Sequence, residues 1–356
     1  MNVSCIKIKD FTGHRIYVGL DVHLKSWSVS IYSEELELKT FNQPADIEVL
    51  IRYLNINYPN AEFEVAYEAG FCGFWIQRSF SERGIACRVV NPADIPCSHK
   101  DNKRKTDQAD SRKIAKALRS GMLNGIYIPG KDQEDNRQLV RSRARLVRDM
   151  TRIKNRIKGC LKLQGIVVPV QYGGGRWTLS FTRWLEQIPL SAAARIMLDV
   201  YIDELIYLQS QERKLLEHIK AIGQQFYAKE LRLLTTIPGV GMLVAMTLLT
   251  ELGDIKRFKK LEHLNSYCGL TPDTHSSGDT ERVTGISRMG NGIVKTMLIE
   301  CAWMAIRKDP ALLLYYKQCI GRMAANKAII KVCRKLLNRI RYVLLHEKEY
   351  VTGVVE

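Results

Sequence analysis

The sequence predicts an α/β layered domain at the N-terminus followed by a mainly helical remainder. Between Arg15 and Val90, short β-branched or alternating runs are interleaved with helical patterns, the order that stacks helices on a sheet. Beyond Thr106, apolar residues recur at three- and four-residue spacing. A length of 356 residues also exceeds what one hydrophobic core usually serves, so two or three domains are expected.

Taken in order, Arg15 to Val22 is apolar and β-branched, and Trp27 to Tyr32 and Leu36 to Phe41 alternate, which reads as a three-strand meander. Pro44 to Asn57 sets Ile47, Leu50, Ile51 and Leu54 on one face behind an N-terminal proline, the pattern of a helix. Glu62 to Tyr67 alternates again, Gly73 to Arg83 is helical, and Ala86 to Val90 is a short strand closed by Asn91-Pro92. Thr106 to Ser120 has a Thr N-cap, early Asp residues, a stripe of Ile114, Ala117 and Leu118, and Gly121 as a stop. Asp135 to Lys162 is a second helical stretch, and Tyr172 to Arg176 is a glycine-rich connection. Leu190 to Phe226 reads as a long amphipathic helix or helical pair, able either to dimerise as a coiled coil or to pack within its own chain. The remainder from Leu231 is mainly helical, with an irregular loop from Leu270 to Gly285 rich in Thr, Ser, Asp and Gly.

Lys and Arg number 54 against 37 Asp and Glu, a net charge of +17, and an excess of that size points to a polyanionic partner, nucleic acid first. The charge is clustered: Arg137, Arg141, Arg143, Arg145, Arg148, Arg152, Lys154, Arg156, Lys158 and Lys162 share one helical stretch, and between Arg137 and Lys162 Asp149 alone opposes them. Contact with a phosphate backbone is the expectation for Arg141, Arg145, Arg148, Arg152 and Arg156. Met1 to Asp10 lacks the apolar core of a signal peptide and no later run is long enough to span a bilayer, so a cytoplasmic protein without membrane attachment is expected. Nine cysteines, with no Cys-x-x-Cys pair, indicate neither a disulfide framework nor a zinc ribbon.

Four acids stand where a nuclease of the ribonuclease H class needs them. Asp21 ends the first strand, Glu68 ends a later one, and Asp107 and Asp110 lie three apart at the start of a helix. That spacing puts both on one helix face, and the N-terminal turn tolerates their charge. Carboxylate oxygens are hard ligands suited to Mg²⁺, which can hold the attacking and leaving oxygens of a phosphodiester. Taken singly, Asp21 reads equally as a turn residue, and Asp107 and Asp110 as ordinary helix-start residues.

Leu233 to Leu249 has the pattern of a helix-hairpin-helix around Pro238-Gly239-Val240-Gly241. Gly239 and Gly241 would let a phosphate approach the free amides of the following helix. Further on, the loop His275-Ser276-Ser277-Gly278-Asp279 offers hydroxyls, with His275 as the loop's own possible base. From composition alone, a loop of this kind is usually a linker.

The ordered set Gly19-Leu20-Asp21-Val22-His23, Tyr67-Glu68-Ala69-Gly70, Lys105-Thr106-Asp107-Gln108-Ala109-Asp110, Ile237-Pro238-Gly239-Val240-Gly241, Ser276-Ser277-Gly278 and Ile286-Ser287-Arg288-Met289-Gly290-Asn291 resembles the DEDD-type insertion-sequence transposases related to the Piv invertase. The resemblance covers almost the whole chain. It implies a RuvC-like N-terminal domain over 1–165, a linker and coiled coil over 166–228, and a C-terminal transposase domain over 229–356. It also implies Mg²⁺ on Asp21, Glu68, Asp107 and Asp110, and a serine that attacks DNA and becomes covalently attached. Ser directly before Gly selects Ser277. Expected partners are DNA, a structured non-coding guide RNA and further copies of the chain, as a dimer or tetramer. The competing readings are a RuvC-like nuclease that only hydrolyses, a site-specific DNA invertase, and a nucleic-acid-binding scaffold whose acids are structural.

Overall fold

The structure, a computed structural model, describes residues 10–96, 106–173, 177–277, 280–287 and 290–353, with backbone alone for 273–277 and 280–284. The chain divides into two units, the first ending at Ile128 and the second beginning at Pro129.

The first unit is a five-stranded sheet of order β3-β2-β1-β4-β5. The strands are β1 (Arg15–Val22), β2 (Ser26–Tyr32), β3 (Glu37–Pro44), β4 (Glu62–Glu68) and β5 (Ala86–Val90). The first three form the expected antiparallel meander, in which Gly19 faces Ser30 and Val29 faces Phe41. β4 and β5 add in parallel, Leu20 opposite Tyr67 and Glu68 opposite Val90. Because side chains alternate across a strand, Ile16, Val18, Leu20, Trp27, Val29, Ile31, Val65 and Tyr67 share one face. They are buried there with Leu50 and Leu54 of α1 (Ile47–Asn57) and Ile76 and Phe80 of α2 (Trp75–Glu82).

The other face carries small residues, Gly19, Ser28, Ser30 and Ala66, and receives α3 (Asp107–Arg119). A Cβ built on Gly19 falls 2.2 Å from the Ser111 carbonyl oxygen and 2.4 Å from the Ala115 nitrogen, so only glycine lets α3 lie this close to β1. The Ser30 and Ser111 hydroxyls meet at 2.8 Å in the buried layer between them. Beyond the sheet, Arg112 of α3 reaches Glu37 of β3 at 2.8 Å.

The second unit is helical apart from one hairpin. It comprises α4 (Lys131–Leu163), α5 (Leu179–Gln187), α6 (Ala192–Phe226), α7 (Ala228–Thr235), α8 (Met242–Leu252), α9 (Leu261–Tyr267), α10 (Gly292–Ala305), α11 (Pro310–Ile320) and α12 (Ala325–His346). Met150, Ile153, Ile157 and Leu161 of α4 bury against Leu198, Ile202 and Leu205 of α6, with Phe181 and Leu185 of α5 closing the cluster. The apolar stripe of α6 is thus used inside the chain, while Ile196, Val200 and Tyr207 stay exposed. A second core gathers α7, α8, α10 and α12. The sequence reading carried the first domain through residue 165; by packing, the basic helix α4 sits with the helices that follow it.

Two features differ from expectation. The stretch read as an irregular loop from Leu270 to Gly285 forms an antiparallel hairpin, β6 (Pro272–Ser277) and β7 (Thr280–Ile286), with Ser277 opposite Thr280. The sequence Ser-Gly-Asp-Thr sets two turn-prone residues between two strand-compatible runs, and residues 278–279 themselves lie outside the described residues, as do residues 174–176 of the glycine-rich connection. α5, which the sequence reading passed over, is held by an aromatic cluster of Tyr172, Phe181 and Trp184. Among the described residues, no helix is long and apolar enough to cross a membrane.

Candidate metal centre

The acidic centre is built by the alternation of β1 and the start of α3. Gly19 and Asp21 lie on the face that meets α3, two residues apart on one strand. The Thr106 hydroxyl accepts the Ala109 amide at 3.2 Å, capping α3 so that Asp107 opens its first turn. The Asp21 and Asp107 carboxylates converge on the His23 ring, whose Nε2 stands 3.3 Å from Asp21 Oδ2 and 3.4 Å from Asp107 Oδ2. One ligand atom from each of these three residues fits within 4.8 Å.

Asp21 is half-buried, and its carboxyl is pushed above the ordinary carboxylate range, first by lost solvation. His23 pulls it back, while the negative charges of Asp107 and Asp110 push it further up. Asp110 belongs to the same field but lies outside the 4.8 Å group, with Lys113 Nζ at 2.9 Å. Glu68 also lies outside that group. It follows Tyr67, the partner of Leu20, so it stands level with Asp21 at the carboxyl ends of adjacent parallel strands, on the side of Ala66 that meets α3. His23 was not singled out from the sequence. The signal was present: two residues beyond Asp21 on an extended segment, it falls on the same side.

The expected nucleic-acid residues divide by environment. Arg145, Arg148, Arg152 and Arg156 are exposed on α4. Arg152 pairs with Asp149 at 2.7 Å and Arg156 approaches Glu204 at 3.9 Å. Arg141 is engaged by Glu251 of α8 in a two-pronged pair at 2.6 and 2.8 Å, with the carboxylate fully buried. Arg143 likewise pairs with Glu212 of α6 at 2.7 Å. The basic helix is therefore opposed by acids from α6 and α8 that its own sequence does not reveal.

In the Pro238–Gly241 turn, Gly239 has φ of +88°, and a Cβ there would fall 2.5 Å from the Cys301 carbonyl oxygen of α10. Its lack of a side chain serves the turn and that packing. Gly241, at the N-cap of α8, is exposed with open space beside it. Ser277 ends β6.

Two transposase-domain models match the chain, the first spanning the first unit from residue 18 and continuing through α4 of the second, the other lying wholly within the second unit. A DEDD transposase family of the IS110 type, described as "Transposase", matches residues 18–165, and the "Transposase IS116/IS110/IS902 family" matches residues 231–317. The chain is 31% identical to the protein of Sinorhizobium fredii named as transposase y4rJ, over 77% of this chain and 74% of the relative. It is 28% identical to the transposase for insertion sequence element IS1111A of Coxiella burnetii, over 78% of this chain and 76% of the relative. Against the Sinorhizobium fredii protein named as transposase y4qE it is 30% identical, spanning 73% of this chain and 62% of the relative, less than two thirds of that protein's length. The chain belongs to the IS116/IS110/IS902 family of transposases. Transposases act on DNA by phosphoryl transfer, and the DEDD domain together with the acidic cluster points to use of a divalent metal.

Proposed function

We propose that this chain is an insertion-sequence transposase that cleaves and rejoins DNA through a covalent serine intermediate, with Asp21, Glu68, Asp107 and Asp110 as the ligands of Mg²⁺. The observation that carries the metal assignment is the convergence of the Asp21 and Asp107 carboxylates with His23 within 4.8 Å; burial raises the Asp21 pKa, and the charges of Asp107 and Asp110 add to that rise. Hard oxygen donors under that mutual repulsion fit a small divalent cation. When bound, it would supply neutralising charge to the phosphate under attack. The first unit is read as a RuvC-like, ribonuclease H-like fold, in keeping with β1, β4 and α3 bearing the acids.

The Ser277 hydroxyl is the proposed nucleophile. Its oxygen bonds to phosphorus, its proton passes to a base, and the bond from phosphorus to the departing sugar oxygen breaks, that oxygen taking up a proton. The serine phosphodiester keeps the energy needed to rejoin, which attack by water would lose. Arg145, Arg148, Arg152 and Arg156 supply phosphate contacts for DNA and for a structured guide RNA. The α7–α8 turn is read as a helix-hairpin-helix in which the open side at Gly241 accepts a backbone phosphate. Assembly as a dimer or tetramer is proposed, with the exposed Ile196, Val200 and Tyr207 of α6 available to a second copy, and action on the cytoplasmic nucleoid.

Strand cleavage of a labelled duplex made from the DNA flanking the gene, titrated with MgCl₂, tests the metal assignment. Asp21→Asn, Glu68→Gln and Asp110→Asn each abolish cleavage and leave DNA affinity within about twofold, since affinity for a polyanion comes mainly from Lys and Arg. Substantial cleavage by one of these variants removes that residue from the metal site.

A further inference from the structure

The hairpin that bears Ser277 stands on a stem fixed by groups with no part in the proposed chemistry. The Ser287 amide donates to the Thr271 carbonyl at 3.0 Å, and the Asn291 amide to the Tyr267 carbonyl at 2.8 Å. Gly269 and Gly290 touch backbone to backbone, and a Cβ on Gly290 would fall 2.1 Å from Gly269 Cα. The carbonyl of buried Leu270 accepts from the Arg334 guanidinium of α12, Nε at 2.7 Å.

Asn291 is the centre of this stem. Its Oδ1 accepts the amides of Ile293 and Val294 at 3.1 and 3.2 Å, capping α10, and its Nδ2 donates to Glu251 Oε2 at 2.8 Å. Glu251 is fully buried and takes two further hydrogen bonds from Arg141, with Arg137 at 3.9 Å. The Tyr267 hydroxyl donates to the Glu251 carbonyl at 2.9 Å. A buried ion pair adds little stability over apolar packing, whereas this one fixes an asparagine side chain at both ends, and that asparagine sits where β7 returns to the helical body.

The geometry points to Glu251 as a positioning residue of the transposition reaction: held by Arg141, its carboxylate orients Asn291 and with it the stem of the serine hairpin. This rests on the reading of Ser277 as nucleophile. It also commits the half-buried Arg141 guanidinium to Glu251, leaving phosphate contact to the exposed arginines further along α4.

The test exchanges donor and acceptor across the Asn291–Glu251 bond in the full-length protein. Asn291→Asp keeps the helix cap, because Asp caps as well as Asn, but sets a carboxylate against Glu251. Combined with Glu251→Gln, it restores the bond with its direction reversed, at the cost of the Arg141 Nη2 bond that shares Glu251 Oε2, while the Arg141 Nε bond to Oε1 is kept. With Mg²⁺, the labelled flanking duplex and the transcript of the adjacent non-coding segment, Asn291→Asp slows covalent adduct formation at saturating DNA by about tenfold or more, the scale of a misplaced reacting group. The half-saturating DNA concentration stays unchanged, and the double variant recovers to within about threefold of wild type, as coupled neighbours do. Hydrogen exchange at the Ser287 amide quickens in Asn291→Asp and slows again in the double variant.

An unchanged adduct rate in Asn291→Asp, a loss the double variant does not recover, or a loss explained by weaker DNA binding overturns the positioning role. Unchanged Ser287 exchange overturns it whatever the chemistry. An active wild type that forms no adduct, with exchange responding as described, instead overturns the serine reading, so the two failures are told apart.

Discussion

Gly19→Ala tests whether the close seat of α3 on β1 builds the acidic centre. The new methyl carbon would lie 2.2 Å from the Ser111 carbonyl oxygen, 2.4 Å from the Ala115 nitrogen and 2.9 Å from the Ala115 Cβ. Non-bonded heavy atoms settle at about 3.5–4.0 Å, so α3 must lift from the sheet by about 1 Å or more. Overpacking of this kind costs about 1–3 kcal/mol. Because α3 carries Asp107 and Asp110 while Asp21 stays on β1, the carboxylates separate by a similar distance. A misplacement of about 1 Å can cost about 100-fold in rate. Denaturant unfolding followed by circular dichroism, and Mg²⁺-dependent cleavage of the flanking duplex, read the two effects separately. Two of the three close contacts are to backbone atoms, so adding Ala115→Gly does not rescue the variant. Wild-type stability together with wild-type cleavage in Gly19→Ala would refute this construction of the site.

The seat of α3 is also sensitive to acid. Glu37 is held down to about 2 by hydrogen bonds from Tyr32 and Arg112, below its usual 4.5, so its contribution is full above about pH 4.5 and is lost as pH falls toward 2. Glu37→Gln should flatten the stability of the first unit across that window relative to wild type, and identical profiles would remove Glu37 from the linkage. Charge reversal at Arg148, Arg152 and Arg156 should weaken DNA and RNA binding and lower the slope of log affinity against log salt by roughly one per lost phosphate contact. A salt slope equal to that of wild type would place the nucleic acid elsewhere. Arg143→Ala, by contrast, strips Glu212 of its partner and should lower stability while leaving the salt slope intact, as measured by thermal unfolding beside the same binding series.

The strands of the first unit were legible because each side-chain pattern is local. Arg15 to Val22 is apolar and β-branched, which marks a strand, and Asp21 at its end could be read directly as a strand-end carboxylate. Thr106 with Asp107 and Asp110 announced a capped helix start in the same way. What the sequence hid depends on partners distant in the chain. Nothing near Arg141 indicates that Glu251, 110 residues later, takes its charge, and nothing near Leu198 or Ile202 says whether α4 or a second copy covers them. The β6–β7 hairpin was hidden by composition: Thr, Ser, Asp and Gly suit a loop, and the strand-forming Val283 and Ile286 are few. Gly239 shows a further limit, since the close approach of the α10 backbone, which also requires a glycine there, is written in no residue near it.

The most direct test of the proposed function is the chemical fate of Ser277. Wild type, Ser277→Ala and Ser276→Ala are incubated with Mg²⁺, labelled flanking duplex and adjacent transcript, resolved by denaturing electrophoresis, and any protein-DNA adduct is mapped by proteolysis and mass spectrometry. The expected result is an adduct on the peptide containing Ser277, absent from Ser277→Ala and retained in Ser276→Ala, with DNA binding preserved in all three. Attachment at Ser276, or strand cleavage by wild type with no adduct at any time, contradicts the covalent serine route; cleavage without an adduct would leave hydrolysis at the acidic centre as the chemistry.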